Sequence, residues 1–379
     1  MKSILTGLLI AALWAALFLP GDALAGGFMS QFKDTLDNSF DMSQWLSNAY
    51  GFMPVVSIIT EPAIGPGVGV GLGFLRRDKS QVGSVMTQPP SIAGVFGLYT
   101  ANDTWGVGGG YMGFWRHDSI RYRGGLGYVS VNLKYYPPIL EGISDKGFDF
   151  NMKGGGTLQE LSFRIPGTRL FLGGRYVFFK DEVTVDIPVE WLDPWEADMN
   201  IGGLAGLAVY DNRDNTFTPN NGTRTGISYT YYDPVFGSDT TFQRLDGYAL
   251  GYHLFADRYM VALRLDGRYA EGATPFYMLP YIDLRGVPAM RYQGKYTLVA
   301  ETEFRWDFTY RWSLVLFGGV GAAVPPESQW EDRTGAYNMG AGFRYFLARQ
   351  YKLRAGIDVA RGPEDWAFYI QIGQAWGRY

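Results

Sequence analysis

Residues 281–306, YIDLRGVPAMRYQGKYTLVAETEFRW, carry the clearest structural pattern in the chain. The second half alternates with period 2: Tyr296, Leu298, Ala300, Phe304 and Trp306 fall on one face, and Val299, Glu301, Glu303 and Arg305 fall on the other. An apolar face opposite a charged face is typical of a strand between lipid and a wet interior. Upstream, Arg285 precedes Gly286, which permits a sharp turn of the backbone. A loop cation so close to inward carboxylates suggests a loop pinned inside a barrel.

The composition favours a β protein and excludes several other classes. The 379 residues include 51 Gly, and 16% are aromatic; Gly disfavours helix interiors, whereas aromatic residues favour strands. A net charge of −4 provides no basic surface for nucleic acid. With no Cys and only two His, the chain has no disulfide framework and no cluster with metal-ligand spacing. We therefore expect neither a metal nor another cofactor.

The N-terminus predicts an exported protein. Met1 and Lys2 precede an apolar run over residues 4–20, and the small-residue site Ala23-Leu24-Ala25 follows. This order is typical of a secretory signal peptide over residues 1–25, cleaved after Ala25. Residues 26–53 form a short amphipathic segment in which we predict one or two helices, with Asp41 as an N-cap.

The rest of the chain, residues 54–379, predicts a transmembrane antiparallel β-barrel of about sixteen strands. Alternation is strong over residues 242–255, 259–271, 350–360 and 366–377. A soluble sandwich would also alternate, but soluble strands average roughly five or six residues, whereas many segments here exceed that length. Short connections such as 256–258 and 348–349 are expected on the periplasmic side, and long ones such as 272–295 on the outside. Residues 180–200 read as an acidic, solvated surface loop.

Four motifs resemble the outer-membrane barrel of the Omp85 superfamily, also called the bacterial surface antigen or D15 domain, as in BamA and TamA. They are a hairpin motif (Asp211, Arg213, Asp214, Pro219 and Gly222), a loop motif (Leu284, Arg285 and Gly286), an acidic strand (Glu301 and Glu303), and a C-terminal assembly signal (Phe368, Ile370, Ile372, Trp376 and Tyr379). The resemblance covers residues 54–379. Two features depart from the family pattern: residues 26–53 cannot hold a POTRA domain, and Val287 stands where the family usually has an aromatic residue.

The resemblance implies that Arg285 folds back into the lumen and pairs with Glu301 or Glu303. It also implies a Gram-negative outer-membrane location and a role in inserting proteins into that membrane or exporting them across it. The implied partners are outer-membrane lipid, the barrel-assembly machinery during the protein's own insertion, and substrate polypeptides.

Two other functions stay open on the sequence alone. A passive channel for small solutes is the main rival, because the family captures substrates with POTRA domains. A membrane hydrolase is the lesser one: His117 and His253 lack an evident Ser partner, and we predict no catalytic residue.

Overall fold

A computed structural model describes residues 32–44, 51–76, 91–136, 147–185 and 195–376. The predicted signal peptide, residues 1–25, lies outside these ranges and stays a prediction. The described chain forms sixteen strands: β1 (Gly51–Ile59), β2 (Gly67–Arg76), β3 (Ser91–Thr100), β4 (Trp105–Trp115), β5 (Ile120–Tyr135), β6 (Phe148–Arg164), β7 (Leu170–Val185), β8 (Trp195–Asp211), β9 (Gly222–Tyr232), β10 (Phe242–Phe255), β11 (Tyr259–Gly272), β12 (Tyr296–Trp306), β13 (Trp312–Val324), β14 (Thr334–Ala348), β15 (Leu353–Arg361) and β16 (Trp366–Ile372).

Each strand pairs antiparallel with its neighbours in the sequence, in the order β1 to β16. The prediction of a sixteen-stranded antiparallel barrel is therefore confirmed. Among the strand residues that the structure describes, no backbone ladder joins β1 to β16. The barrel is thus nearly closed, and we call the boundary between β1 and β16 the seam.

The alternation read from residues 296–306 places side chains as predicted. Leu298 and Trp306 on β12 are exposed on the outer face, whereas Glu301 and Arg305 are buried inside. The neighbouring β13 repeats the pattern, with Leu314 and Leu316 outside and Val315 and Phe317 inside. Because a strand projects successive side chains to opposite faces, this sequence produces an apolar outer surface around a polar lumen.

The connections differ between the two ends of the barrel. Short turns at 116–119, 165–169, 256–258 and 307–311 lie at one end, and the long loop 273–295 enters from the other. The prediction of a loop over residues 180–200 is wrong, because β7 continues to Val185 and β8 begins at Trp195. Asp181 is accordingly a buried strand residue.

We call residues 32–44 the rim segment. The prediction of a helix at the start of this segment is wrong. Lys33 and Phe40 form an isolated bridge, so the chain makes a turn. The Leu36 N–H donates to Asp34 Oδ1 at 3.0 Å and the Ser39 N–H to Asp37 Oδ1 at 3.0 Å. Such side-chain bonds compete with helical ones.

The second predicted helix is described only at its start. The Ser43 N–H donates to Asp41 Oδ1 at 2.7 Å, and residues 43–44 are helical. Residues 45–50 lie outside the described ranges. No helix in the described part of the chain is long or apolar enough to cross a membrane.

Candidate functional site

The loop between β11 and β12 folds into the lumen and is held there by a small apolar core. Ile282, Leu284 and Val287 of the loop pack against the inner wall in a cluster with Val299, Ala323 and Ala336. Gly286, between Leu284 and Val287, has a φ of 85°, a backbone conformation that residues with a side chain rarely adopt. A Cβ atom at Gly286 would lie 3.0 Å from the Gly362 nitrogen, so the loop backbone packs directly on the end of β15.

The loop places Arg285 against two carboxylates of β12. Arg285 Nε donates to Glu301 Oε1 at 2.9 Å, and Nη1 donates to Glu303 Oε2 at 3.0 Å. The Arg285 residue is 8% exposed, and its guanidinium lies 3.5 Å from the centre of the Phe317 ring. A planar guanidinium can form several directed bonds at once and stack on an aromatic ring, which lysine cannot do.

A third carboxylate completes the contact, and the sequence motifs did not include it. Arg285 Nη1 also donates to Asp358 Oδ2 on β15 at 2.8 Å. Asp358 is in turn bound by Arg344 on β14, with Nη1 at 2.5 Å and Nη2 at 3.0 Å. Period-2 alternation places Asp358 on the inner face but says nothing about which loop reaches it. We call Arg285 with Glu301, Glu303 and Asp358 the loop lock.

Electrostatics favour the charged form of Arg285. Burial alone lowers the pKa of its guanidinium, but the negative charges of Glu301, Glu303 and Asp358 outweigh burial and raise the pKa above its usual range.

A second group of ion pairs, centred on Arg264, lies next to the loop lock on the inner wall. Arg264 on β11 donates to Asp266 and to Asp283 of the loop, at 2.9 Å in each case, and to Glu301 Oε2 at 3.4 Å.

The C-terminal assembly motif divides between two environments. Phe368, Ile370 and Ile372 on β16 are exposed on the outer face, as alternation predicts. The chain then turns at Gly373, whose φ is 83°, and Trp376 enters the lumen. There the Trp376 Nε1–H donates to Glu301 Oε2 at 2.6 Å, so Trp376 contacts the loop lock. Tyr379 lies outside the described residues.

The hairpin motif between β8 and β9 forms a separate network at the short-turn end. Asp211 accepts from Arg213 at 2.8 Å, Arg121 at 3.2 Å and Arg224 at 3.3 Å. Asp214 Oδ1 accepts the backbone N–H of Asn220 at 2.9 Å and of Asn221 at 3.1 Å, which closes the turn.

Two further residues of the hairpin motif have different roles. Gly222 has a φ of 106°, and a Cβ there would lie 2.7 Å from Arg213 Cα, so a side chain is excluded. Pro219 lines a small cavity with Glu303, Arg305 and Trp376. The motif therefore shapes the turn and borders the lumen, but none of the described hydrogen bonds joins it directly to Arg285.

The loop also contacts the seam. The Gly286 N–H donates to the Tyr369 hydroxyl on β16 at 2.8 Å. Beside this bond a cavity of about 400 Å³ is lined by Glu61 of the β1–β2 turn, Asp283, Arg285, Tyr369 and Trp376. Burial raises the pKa of the Glu61 carboxyl. Within the described ranges no group of three or more His, Asp or Glu side chains could hold a metal ion.

Comparisons with known proteins support the fold rather than a particular activity. No family profile and no curated protein sequence matches this chain. The structure is similar to BamA from Haemophilus ducreyi lacking POTRA domains 1–3, with a TM-score of 0.58 and 13% identity over 86% of this chain and 70% of that one. It is also similar to CdiB from Acinetobacter baumannii (TM-score 0.55, 12% identity, 85% and 59% covered) and from Escherichia coli (0.56, 9%, 84% and 61%).

At these identities the likenesses show the fold alone, which is the outer-membrane barrel fold that the motif resemblance implied. The chain spans less than two thirds of either CdiB chain, so what those proteins do as a whole does not transfer with the fold.

Proposed function

We propose that this chain, which has the barrel fold of BamA and CdiB, is an outer-membrane protein that helps insert polypeptides into that membrane or export them across it. The observation that carries the proposal is the seam, where β1 and β16 end the sheet without a ladder between them. A strand edge presents N–H and C=O groups that can pair with another strand, which is the physical basis of β-augmentation. An incoming polypeptide would bind there in extended form.

The seam strands suit this role. β16 has seven residues and β1 has nine, against 13 in β13 and 14 in β11, so each edge offers a short stretch of backbone for pairing with an incoming strand. Val56 and Ile58 on β1, and Phe368 and Ile370 on β16, present apolar side chains to the outside. A substrate strand added at this edge would therefore face lipid on its apolar side.

The loop lock links the lumen to the same seam. It joins Arg285 to Asp358 on β15, while Gly286 binds Tyr369 on β16. In this proposal the lock holds the β15–β16 side of the barrel in position while the β1 edge moves. The partners would be outer-membrane lipid, the barrel-assembly machinery during the protein's own insertion, and substrate polypeptides.

The rival function, a passive channel, is disfavoured by the contents of the lumen. The loop 273–295 and the Trp376 side chain both occupy the interior and are joined to its wall by the hydrogen bonds of Arg285 and Trp376. Single-channel recording in planar bilayers separates the two functions. Brief, flickering openings support the insertion or export function, whereas a steady conductance with solute flux would support the channel.

Cross-linking the seam tests the proposal directly. The chain has no native cysteine, so one Cys in β1 and one in β16 can be joined by a bismaleimide. Joining them should abolish the acceleration of folding of a barrel substrate in liposomes. The control joins Leu263 and Thr302, which are register partners in the β11–β12 ladder, and should leave activity unchanged. Full activity with a joined seam would contradict the proposal.

The same proposal includes export and cleavage after Ala25. Sequencing the N-terminus of protein isolated from outer membranes tests both at once. A mature chain that begins at Gly26 is the expected result.

A further inference from the structure

The rim segment, residues 32–44, is bound to the short-turn end of the barrel at β14. The Met42 N–H donates to the Leu347 carbonyl at 2.8 Å, and the Gln350 N–H donates to Ser43 Oγ at 3.0 Å. The Tyr345 hydroxyl donates to the Phe40 carbonyl at 2.7 Å. Because Tyr345 alternates with the inward-facing Arg344, its side chain reaches the segment from the outer face of β14.

Carboxylates of the rim segment surround one arginine of the barrel. Arg311, in the β12–β13 turn, donates to Asp34 Oδ2 at 2.5 Å, to Asp41 Oδ2 at 2.6 Å and to Asp37 Oδ2 at 2.7 Å. A second arginine, Arg349, donates to Asp34 Oδ2 at 2.6 Å. The acidic side chains of the segment are thus directed at the barrel end and matched by cations there.

Two large apolar side chains of the rim segment are exposed, beside the exposed polar residues Lys33, Thr35 and Asn38. Leu36 is 70% exposed and Phe40 is 50% exposed. Phe40 stacks on Phe32 with ring centres 5.8 Å apart, so the two rings form one surface.

Aromatic side chains of the barrel surround the same end. Phe308 and Tyr310 in the β12–β13 turn and Trp312 at the start of β13 are exposed, Tyr310 at 57%. Aromatic residues at the end of a transmembrane barrel lie at the level of the lipid headgroups. The rim segment adjoins this girdle, because Tyr345 packs edge-on against Trp312 and its hydroxyl donates to the Phe40 carbonyl.

We infer that the rim segment is an interfacial clip: Asp34, Asp37 and Asp41 fasten it to Arg311 and Arg349, and Leu36 and Phe40 insert among the lipids of the adjacent leaflet. The occupant of this surface is the bilayer itself. Anchoring on both sides would fix the turns next to β13 and β14 relative to the membrane surface while the seam strands move. The inference rests on the membrane location given under the proposed function.

Spin-label depth measurement tests the clip in full-length protein. Because the chain lacks Cys, labels can be placed singly at Leu36→Cys, at the neighbouring exposed Thr35→Cys, and at Leu316→Cys on the outer face of β13. The protein is reconstituted in phosphatidylethanolamine–phosphatidylglycerol vesicles, and collisions with oxygen and with a water-soluble nickel complex are compared. We expect the oxygen-to-nickel ratio at position 36 to lie between those at positions 316 and 35.

Two results would overturn the inference, and they are distinguishable. A label at position 36 that is as accessible to nickel as the label at 35, with position 316 deep in lipid, overturns the clip alone. A label at 316 that is also exposed to water overturns the proposed membrane barrel and the clip with it.

A second variant tests the ionic half of the clip. Arg311→Gln with Arg349→Gln should release the segment, so the ratio at position 36 should fall to that at 35. If this variant does not yield folded protein, the combined replacements Asp34→Asn, Asp37→Asn and Asp41→Asn provide the same release from the rim side. An unchanged ratio at position 36 in a folded release variant would show that the carboxylates do not hold the segment.

Discussion

Arg285 Nη1 lies 2.8 Å from Asp358 Oδ2, although 73 residues separate the two in the sequence. This contact joins the long loop to β15, whereas the contacts with Glu301 and Glu303 join it to β12. The loop therefore bridges two parts of the barrel wall. Because Asp358 also binds Arg344, one carboxylate forms ion pairs with two buried arginines.

Replacing Asp358 by Asn should destabilise the barrel strongly. Removing one partner of a buried ion pair leaves an uncompensated charge and costs about 3–5 kcal/mol. We expect loss of the heat-modifiable folded band at a lower urea concentration than in the wild type. The matched control is Asp149→Asn, whose pair with Lys134 is exposed and should contribute little. Equal urea midpoints for the two variants would contradict a structural role for Asp358.

Replacing Arg285 tests the loop lock itself. Arg285→Ala removes the cation shared by three carboxylates, so the loop should loosen, pore conductance should rise, and folded yield should fall. Arg285→Lys keeps the charge but loses the forked geometry and should be intermediate. The exposed turn residue Arg258 supplies a control as Arg258→Ala. The hypothesis that the loop lock holds the loop in the lumen is wrong if Arg285→Ala leaves both conductance and heat-modifiable mobility at wild-type values.

Adding a single methyl group at Gly286 should disturb the same loop. Its φ of 85° costs a residue with a side chain roughly 1–2 kcal/mol, and the new Cβ would crowd Gly362 and Ala360. Gly286→Ala should therefore lower the urea midpoint and weaken protease protection of loop 273–295. Gly251→Ala is the control, because a Cβ there meets no atom within 4 Å. Protection equal to that of the control would argue against close packing of the loop on β15.

Trp376 should stabilise the lock through its indole N–H. Trp376→Phe keeps an aromatic ring beside Tyr252 but removes the donor to Glu301; a hydrogen bond to a charged group is worth about 1.5–3 kcal/mol. We expect a loss of this size in urea unfolding, and a coupling of similar size with Glu301→Gln in a double-mutant cycle. Trp366→Phe, on the outer face, should show neither effect. Additive effects of Trp376→Phe and Glu301→Gln would exclude the contact.

The rim segment should stay bound at mildly acidic pH. Hydrogen bonding from Arg349 lowers the pKa of Asp34, and hydrogen bonding from Arg311 lowers that of Asp37. A carboxyl whose folded pKa is depressed contributes stability above its unfolded value, about 3.9, and loses it as the pH falls through the folded value. The mobility of a spin label at position 36 should be constant down to about pH 5 and rise below about pH 4. Release between pH 5 and 6 would contradict ion pairing by these aspartates.

Much of the barrel was predictable because strand geometry is local. Period 2 follows from the backbone itself, so residues 296–306 alone assign Glu301 and Glu303 to the inside and Leu298 to the outside. The same rule recovered sixteen strands. It failed over residues 180–200, where acidic side chains were read as a loop although β7 and β8 extend into them.

Contacts between distant segments required the folded barrel. Nothing within a few residues of Asp358 indicates that loop 273–295 reaches it, since the contact depends on how the strands curve round the lumen and how deeply the loop folds. Similarly, Trp376 alternates in register with outward residues of β16 but enters the lumen, because Gly373 turns the chain after Ile372. The amphipathic pattern predicted a helix at the start of the rim segment, yet Asp34 and Asp37 there accept hydrogen bonds that form a turn. Together with Asp41 they bind Arg311 across more than 260 residues. Periodicity reports which face a side chain occupies; the partner it meets there depends on the closure of the whole barrel.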